Sequence, residues 1–114
     1  MTITRHNIGP RMSQAVVHGN TVYLAGQVAG DEPTTKAQTE TILKKIDGLL
    51  AAAGTNKANL LSATVYLADM KTYDQMNAAW DAWVDPMNTP ARATVEAKLA
   101  QSKFLVEIMV VAAI

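Results

Sequence analysis

From Arg92 to Leu99 the chain alternates strictly, with Arg92, Thr94, Glu96 and Lys98 on one side and Ala93, Val95, Ala97 and Leu99 on the other. A period of two is that of a half-buried strand. After the link Ala100-Gln101-Ser102-Lys103, the run from Phe104 to Ala112 is apolar on both sides except at Glu107, the pattern of a strand covered on both faces. Two short apolar runs, Met12 to Val17 and Thr21 to Val28, flank His18-Gly19-Asn20 and predict a β-hairpin. Leu61 to Leu67 alternates again and reads as a further strand. Helical spacing appears twice. Thr39, Ile42, Leu43, Ile46, Leu49, Leu50 and Ala53 form one stripe before Gly54, capped by Thr34 or Thr35. Tyr73, Met76, Trp80, Trp83 and Val84 form another, in a helix that starts at Asp69 or Thr72 and is ended by Pro86.

The resulting order, β-β-α-β-α-β-β, predicts an α+β fold with both helices on one face of a mixed sheet. Two helices leave the other face bare. Because the final strand is apolar on each side, that face is expected to pack on a second copy, giving an obligate homo-oligomer. The 114 residues are expected to form a single domain, 1–114.

Composition narrows the chemistry by exclusion. Ten basic and ten acidic side chains cancel, and neither sign is concentrated, so the electrostatic footprint for nucleic acid or an anionic membrane is missing. With no cysteine in the chain, disulfides, thiol catalysis and cysteine-held metals are ruled out. No stretch has the apolar length of a membrane span and the amino end lacks a leader pattern, so a soluble, cytoplasmic protein is expected. Gly26-Gln27-Val28-Ala29-Gly30 has neither a phosphate-loop lysine nor a dinucleotide fingerprint. The two histidines, His6 near the terminus and His18 in a turn, have no second ligand at metal spacing, and no serine sits in a nucleophile elbow.

What remains is Arg92, opening one strand after Pro90-Ala91, and Glu107, alone in a greasy one. A carboxylate buried there needs a cationic or hydrogen-bonding partner or a raised pKa. Those are conditions for acid-base catalysis, and structural ion pairs produce them as well. If the last two strands formed a plain hairpin about Gln101-Ser102, Arg92 and Glu107 would lie far apart along the sheet unless a bulge or a neighbouring subunit altered the register.

Four segments in this order resemble the Rid (YjgF) family of reactive-intermediate deaminases along essentially the whole chain. They are Gly19 to Gln27, Leu61 to Met70 leading to Met76-Asn77, Pro90 to Glu96, and Val106-Glu107-Ile108. The resemblance implies a chorismate-mutase-like fold and a homotrimer with clefts between subunits. It also implies hydrolysis of 2-imino acids and their enamine tautomers to 2-oxo acids and ammonia, with no metal or organic cofactor. On it, Arg92 is the matching carboxylate clamp and Glu107 the matching carboxylate beside the attacking water. Ala25 and Gly26 match a small pair that brings backbone near the ligand, and Asn77 and Thr94 are further lining candidates. The family's archetypes carry a tyrosine after Gly-Pro near the amino end, where this chain reads Gly9-Pro10-Arg11-Met12-Ser13. Met12 and Ser13 are therefore expected to shape that part of the pocket. A Leu-Pro turn before the last strand is replaced by Leu99-Ala100. These departures imply a side branch that retains the arginine. A non-catalytic, carboxylate-binding or chaperone-like trimer is the competing expectation.

Overall fold

The computed structural model describes residues 1–114 as six strands and two α-helices. The strands are β1 (Ile3–Ile8), β2 (Ser13–His18), β3 (Thr21–Leu24), β4 (Leu60–Leu67), β5 (Ala91–Glu96) and β6 (Val106–Ala113). The helices are α1 (Thr35–Ala52) and α2 (Tyr73–Trp83). One sheet runs β1-β2-β3-β6-β4-β5. Every pairing is antiparallel except β4 with β5.

The β2–β3 hairpin and α1 end where local chemistry says they should. Gly19, with a φ of 61°, opens the two-residue turn that pairs His18 with Thr21, a backbone state that costs glycine least. Thr34 caps α1, its Oγ1 accepting from the Ala37 N–H at 3.1 Å. At the other end Gly54 is left-handed at φ 85°, its N–H reaching the Ala51 carbonyl while that of Thr55 reaches Leu50. This crossed pair closes the helix on its orphan carbonyls. Ile42, Leu43, Ile46, Leu49 and Leu50 of α1 and Met76 and Trp80 of α2 then pack on Val22, Leu24, Ala63, Val65, Leu67, Val106, Ile108 and Val110. Gln38 fastens the loop before β6 to this layer. Its amide donates to the carbonyls of Glu32 and Lys103, and its Oε1 accepts from the Leu105 N–H, all within 3.0 Å. The molecule measures 43 × 37 × 20 Å, thin because helices cover one face only.

The structure corrects the sequence reading in several places. The residues of β1 form a sixth strand on the outer edge, so His6 sits opposite Ala15 rather than on a mobile terminus. Its sequence, ITRHNI, lacks an apolar face because an edge strand lying mostly beyond the helices buries little. The hairpin strands are Ser13–His18 and Thr21–Leu24, shorter than the apolar runs. The alternation from Arg92 is strand only to Glu96, and the final strand begins at Val106. In β6, Val106, Ile108, Val110 and Ala112 are buried, whereas Glu107, Val111 and Ala113 are half-buried and Met109 exposed. In the single chain the final strand is thus covered on one face. β5 and β6 form no hairpin, because β4 lies between them.

Candidate active site

Arg92 leaves the edge strand toward the helices. It shares a row with Ala63 and Val110, both core residues, so its side chain lies on the helix-covered face. Three turns of α2 receive it. Nη1 donates to Asn77 Oδ1 at 2.9 Å and points at Met76 Sδ at 3.8 Å, Nη2 lies 3.4 Å from the Tyr73 hydroxyl, and the guanidinium carbon stands 5.2 Å from the centre of the Trp80 ring. Tyr73, Asn77 and Trp80 follow at helical intervals of four and three, which stacks them on one face. None of these partners is anionic, so the positive charge is oriented without being neutralised. A guanidinium has five N–H donors. With Nη1 turned to Asn77 and Met76 and one Nη2 hydrogen to Tyr73, the Nε–H and the other Nη2–H remain. They form the edge that grips a carboxylate with two parallel hydrogen bonds.

Thr94 follows on the same side, paired with Val65. Its Oγ1 is buried and has no hydrogen-bond partner, and a buried hydroxyl left in that state costs about 1–3 kcal/mol.

Glu107 stands on the other face of the sheet, in a row with Tyr66. Beside it the ladder between β3 and β6 slips. Tyr23 pairs with Val111, but the next bridge joins Gln27 to Ile108, so Ala25-Gly26 is a bulge. The Glu107 carboxyl lies so close over Gly26 that a Cβ there would collide with it. The missing side chain is what makes room for the carboxylate. Tyr66, Met109 and the segment Ala97 to Ala100 complete a hollow of about 280 Å³ around it. Glu107 is half-buried and makes no hydrogen bond or ion pair within the chain, so the expectation of a strand buried on both sides is corrected for the single chain: the side that carries Glu107 is uncovered.

The eight residues singled out from sequence therefore fall into two groups. Arg92, Asn77 and Thr94 gather on the helix face at the β5 edge. Ala25, Gly26 and Glu107 gather on the bare face, and Ser13 and Met12 lie at the end of β2 beside them, where the Ala25 N–H reaches the Gln14 carbonyl at 2.9 Å. Ser13 is half-buried, and Met12 is an exposed turn residue whose carbonyl accepts from the Gly9 N–H at 2.8 Å. With β4 between their strands and three residues along β6 separating Val110 from Glu107, Arg92 and Glu107 are about 10 Å apart across the sheet and about 10 Å along it. They also point to opposite sides.

Trp80 is buried, as the helical stripe predicts, yet one face of its ring also carries the guanidinium. Tyr73, placed in the apolar stripe by its spacing, is 39% exposed and turns its hydroxyl to Arg92. The signal that identifies both is the Tyr-x-x-x-Asn-x-x-Trp row, which puts an amide between two aromatic rings and so provides a cradle for a cation. Tyr66, also lining the Glu107 hollow, has no such signal.

Residues 4–114 match the family model described as endoribonuclease L-PSP. A RutC family protein of Haemophilus influenzae is 49% identical over 98% of both chains. The RutC family protein YoaB of Escherichia coli is 42% identical over the full length of both. The crystal structure of NMB1025 from Neisseria meningitidis, a member of the YjgF protein family, superposes with a TM-score of 0.97 at 43% identity, covering 99% of this chain and 95% of that one. The chain belongs to the YjgF/Rid family. The fold expected from the resemblance, two helices on one face of a mixed sheet, is thus the fold of its relatives. No helix is long and apolar enough to cross a membrane.

Proposed function

We propose that this Rid-family protein hydrolyses reactive 2-imino acids and their enamine tautomers to 2-oxo acids and ammonia, in clefts between the subunits of a homotrimer. The observation that carries this reading is the Arg92 guanidinium, held by Asn77, Tyr73 and Trp80 with its Nε–H and one Nη2–H still to donate. That edge suits the planar carboxylate common to all 2-imino acids. Thr94 Oγ1, lacking a partner beside it, would take a hydrogen bond with the bound molecule or its water.

The chemistry asks for a proton acceptor and donor at the other end of the substrate. Water adds through oxygen to the imine carbon, the C=N bond becomes C–N, and nitrogen gains a proton. Cleavage of that C–N bond then forms the 2-oxo acid and releases ammonia. Glu107 would take one proton from the attacking water and pass it to the imine nitrogen as the carbinolamine forms, then take the carbinolamine hydroxyl proton and pass it to the departing nitrogen as the carbonyl forms, acting each time as a general base and then a general acid. Since Arg92 and Glu107 of one chain face opposite sides of the sheet, both reach one small substrate only if a second copy supplies one of them. An uncovered sheet face carrying Tyr23, Val95 and Met109, each at least 39% exposed, favours such a copy. The equal numbers of acidic and basic side chains favour this substrate class over RNA, whose phosphates call for a cationic surface.

The test is to generate 2-imino acids in place with an amino-acid oxidase and follow their trapping by semicarbazide. The protein should lower trapping and its Arg92→Ala variant should not. If neither alters trapping for neutral, acidic or basic substrates, the deaminase reading fails. The geometry of Arg92 serves non-catalytic carboxylate binding equally well. In that case the wild type binds 2-oxo acids, shows no turnover, and is indifferent to Glu107→Gln.

A further inference from the structure

A second polar hollow, of about 310 Å³, lies between α1 and the β1–β2 end of the sheet and is lined by Asn7, Gln14, Gln27, Lys45, Gly48, Leu49 and Ala52. Three carboxamide side chains and one lysine are among its lining residues, of which Asn7 and Lys45 are exposed and Gln27 is buried. Gln27 is only 7% exposed. Both hydrogens of its Nε2 are engaged, by Gln14 Oε1 at 2.9 Å and the Ala25 carbonyl at 3.0 Å, while its Oε1 accepts no hydrogen bond. That oxygen is not sealed from solvent, since Thr35 Oγ1 and Thr94 Oγ1 are the only buried side-chain polar atoms without a partner, so it opens onto the hollow as a free acceptor. Since Gln14 accepts through oxygen, its own Nε2 is a donor without a partner. Asn7 is the one non-glycine residue with a left-handed backbone, at φ 52°, a state that asparagine tolerates better than most residues. Lys45 Nζ spends one hydrogen on the Val28 carbonyl at 2.6 Å, leaving two.

The floor is also unusual. Gly48 lies within α1, where glycine weakens a helix, and a Cβ added to it would meet nothing within 4 Å. Close packing does not account for a glycine there. Its effect is to keep the hollow open.

We infer that this hollow is a binding site for a small neutral α-amino acid, separate from the Arg92 and Glu107 groups. The unclaimed Gln27 Oε1 matches an N–H of the α-ammonium, and Lys45 with the amide donors matches the α-carboxylate. The lining holds no carboxylate, so a cation without an anionic end meets dipoles and the Lys45 ammonium, and finds no counter-charge. A dicarboxylate leaves Gln27 Oε1 unmatched. Gln27 directly follows Gly26, and its backbone exchanges hydrogen bonds of 2.9 and 3.1 Å with Ile108, the neighbour of Glu107. An occupant therefore touches the strand pair on which Glu107 stands, although its binding does not depend on the deaminase reading.

L-Alanine titrated into the full-length ¹⁵N-labelled protein tests the site, with acetate and methylammonium as half-ligands. The side-chain amide signals of Asn7, Gln14 and Gln27 should move, saturating at about millimolar concentration as a ligand of under about ten heavy atoms allows. The movement should persist in Arg92→Ala and weaken at least about tenfold in Gly48→Leu, which fills the hollow, and in Lys45→Met, which removes the cation, in line with the loss of one charged hydrogen bond. Each half-ligand should act more weakly than alanine. Amide signals that do not move with alanine overturn the inference, as does movement unaffected by both blocking variants. Equal action by acetate alone overturns the amino-acid assignment, and loss of binding in Arg92→Ala assigns the effect to the Arg92 site instead. Should Gly48→Leu fail to fold, Lys45→Met decides.

Discussion

The two ends of the candidate site are built differently within one chain. The arginine end is finished: α2 presents Tyr73, Asn77 and Trp80 to the guanidinium, and the helix that orients Arg92 is itself anchored in the core by Met76 and Trp80. The carboxylate end is half of a site. Glu107 has room made for it by Gly26 but no partner group, and it stands on the sheet face that no helix covers. A charge that must grip one group the same way each time is pre-oriented by its own chain. On the proposed function, a group that must move protons is left at a surface for a second copy to close.

Separating the two ends kinetically gives the largest effect. Glu107→Gln should lower kcat by about 10³-fold with 2-oxo-acid affinity retained, since general acid-base groups contribute in that range. Arg92→Ala should instead lower kcat/KM by about 10²-fold with loss of 2-oxo-acid binding, the scale of one or two charged hydrogen bonds. Steady-state rates paired with titration of pyruvate check the split, and equal loss of binding in both variants would erase the distinction.

Gly26→Ala comes next. Its Cβ would displace the Glu107 carboxyl, and a shift of about 1 Å at a reacting group costs about 10²-fold in kcat. Pyruvate affinity should fall less than kcat, because the carboxylate is gripped by Arg92 and not by the Gly26 bulge. A Gly26→Ala enzyme with normal kcat would show that the carboxylate does not need the space.

Asn77→Ala sharpens the other side. Removing the 2.9 Å acceptor frees the guanidinium to rotate, and kcat/KM should fall about tenfold, matching one charge-assisted hydrogen bond. Thermal unfolding should move little. A Tm loss as large as that of a core truncation would mean that Asn77 holds the fold rather than the arginine.

How much of this was legible in the sequence depends on what each residue packs against. The α1 stripe and its Thr34 and Gly54 ends could be read because caps and apolar spacing are local. β1 could not, since an outer edge strand with few core contacts has no periodic signature. Arg92 and Glu107 stood out from their strand patterns and the other candidates through the family resemblance, but their division between two faces did not. It arises because β4 inserts between β5 and β6, a long-range pairing that alternation along the chain does not encode. Trp80 and Tyr73 show the same limit: helical spacing identifies the face but not the cation resting on it.

The smallest effect expected lies outside the site and serves as a control. The Met87 N–H and then the Asn88 amide hold the Asp85 carboxyl below its usual range, bracing the turn between α2 and β5. A folded pKa below the unfolded one gives stability that is present above the ordinary aspartate range and lost as the pH falls through the folded value. Asp85→Ala should therefore be slightly less stable than wild type at neutral pH, and the gap in Tm should close in acid. A gap that widens in acid would have the wrong sign for this carboxylate.

The most direct test of the account mixes two inactive proteins. Arg92→Ala and Glu107→Gln chains, co-refolded in equal amounts, should assort at random in the proposed trimers. In a cleft that takes its arginine from one copy and its carboxylate from the next, about one site in four receives both intact groups by symmetry. Imine hydrolysis at about a quarter of the wild-type rate is the predicted result. Activity no greater than that of either variant alone would contradict it, and would return both residues to a single chain or to no shared site at all.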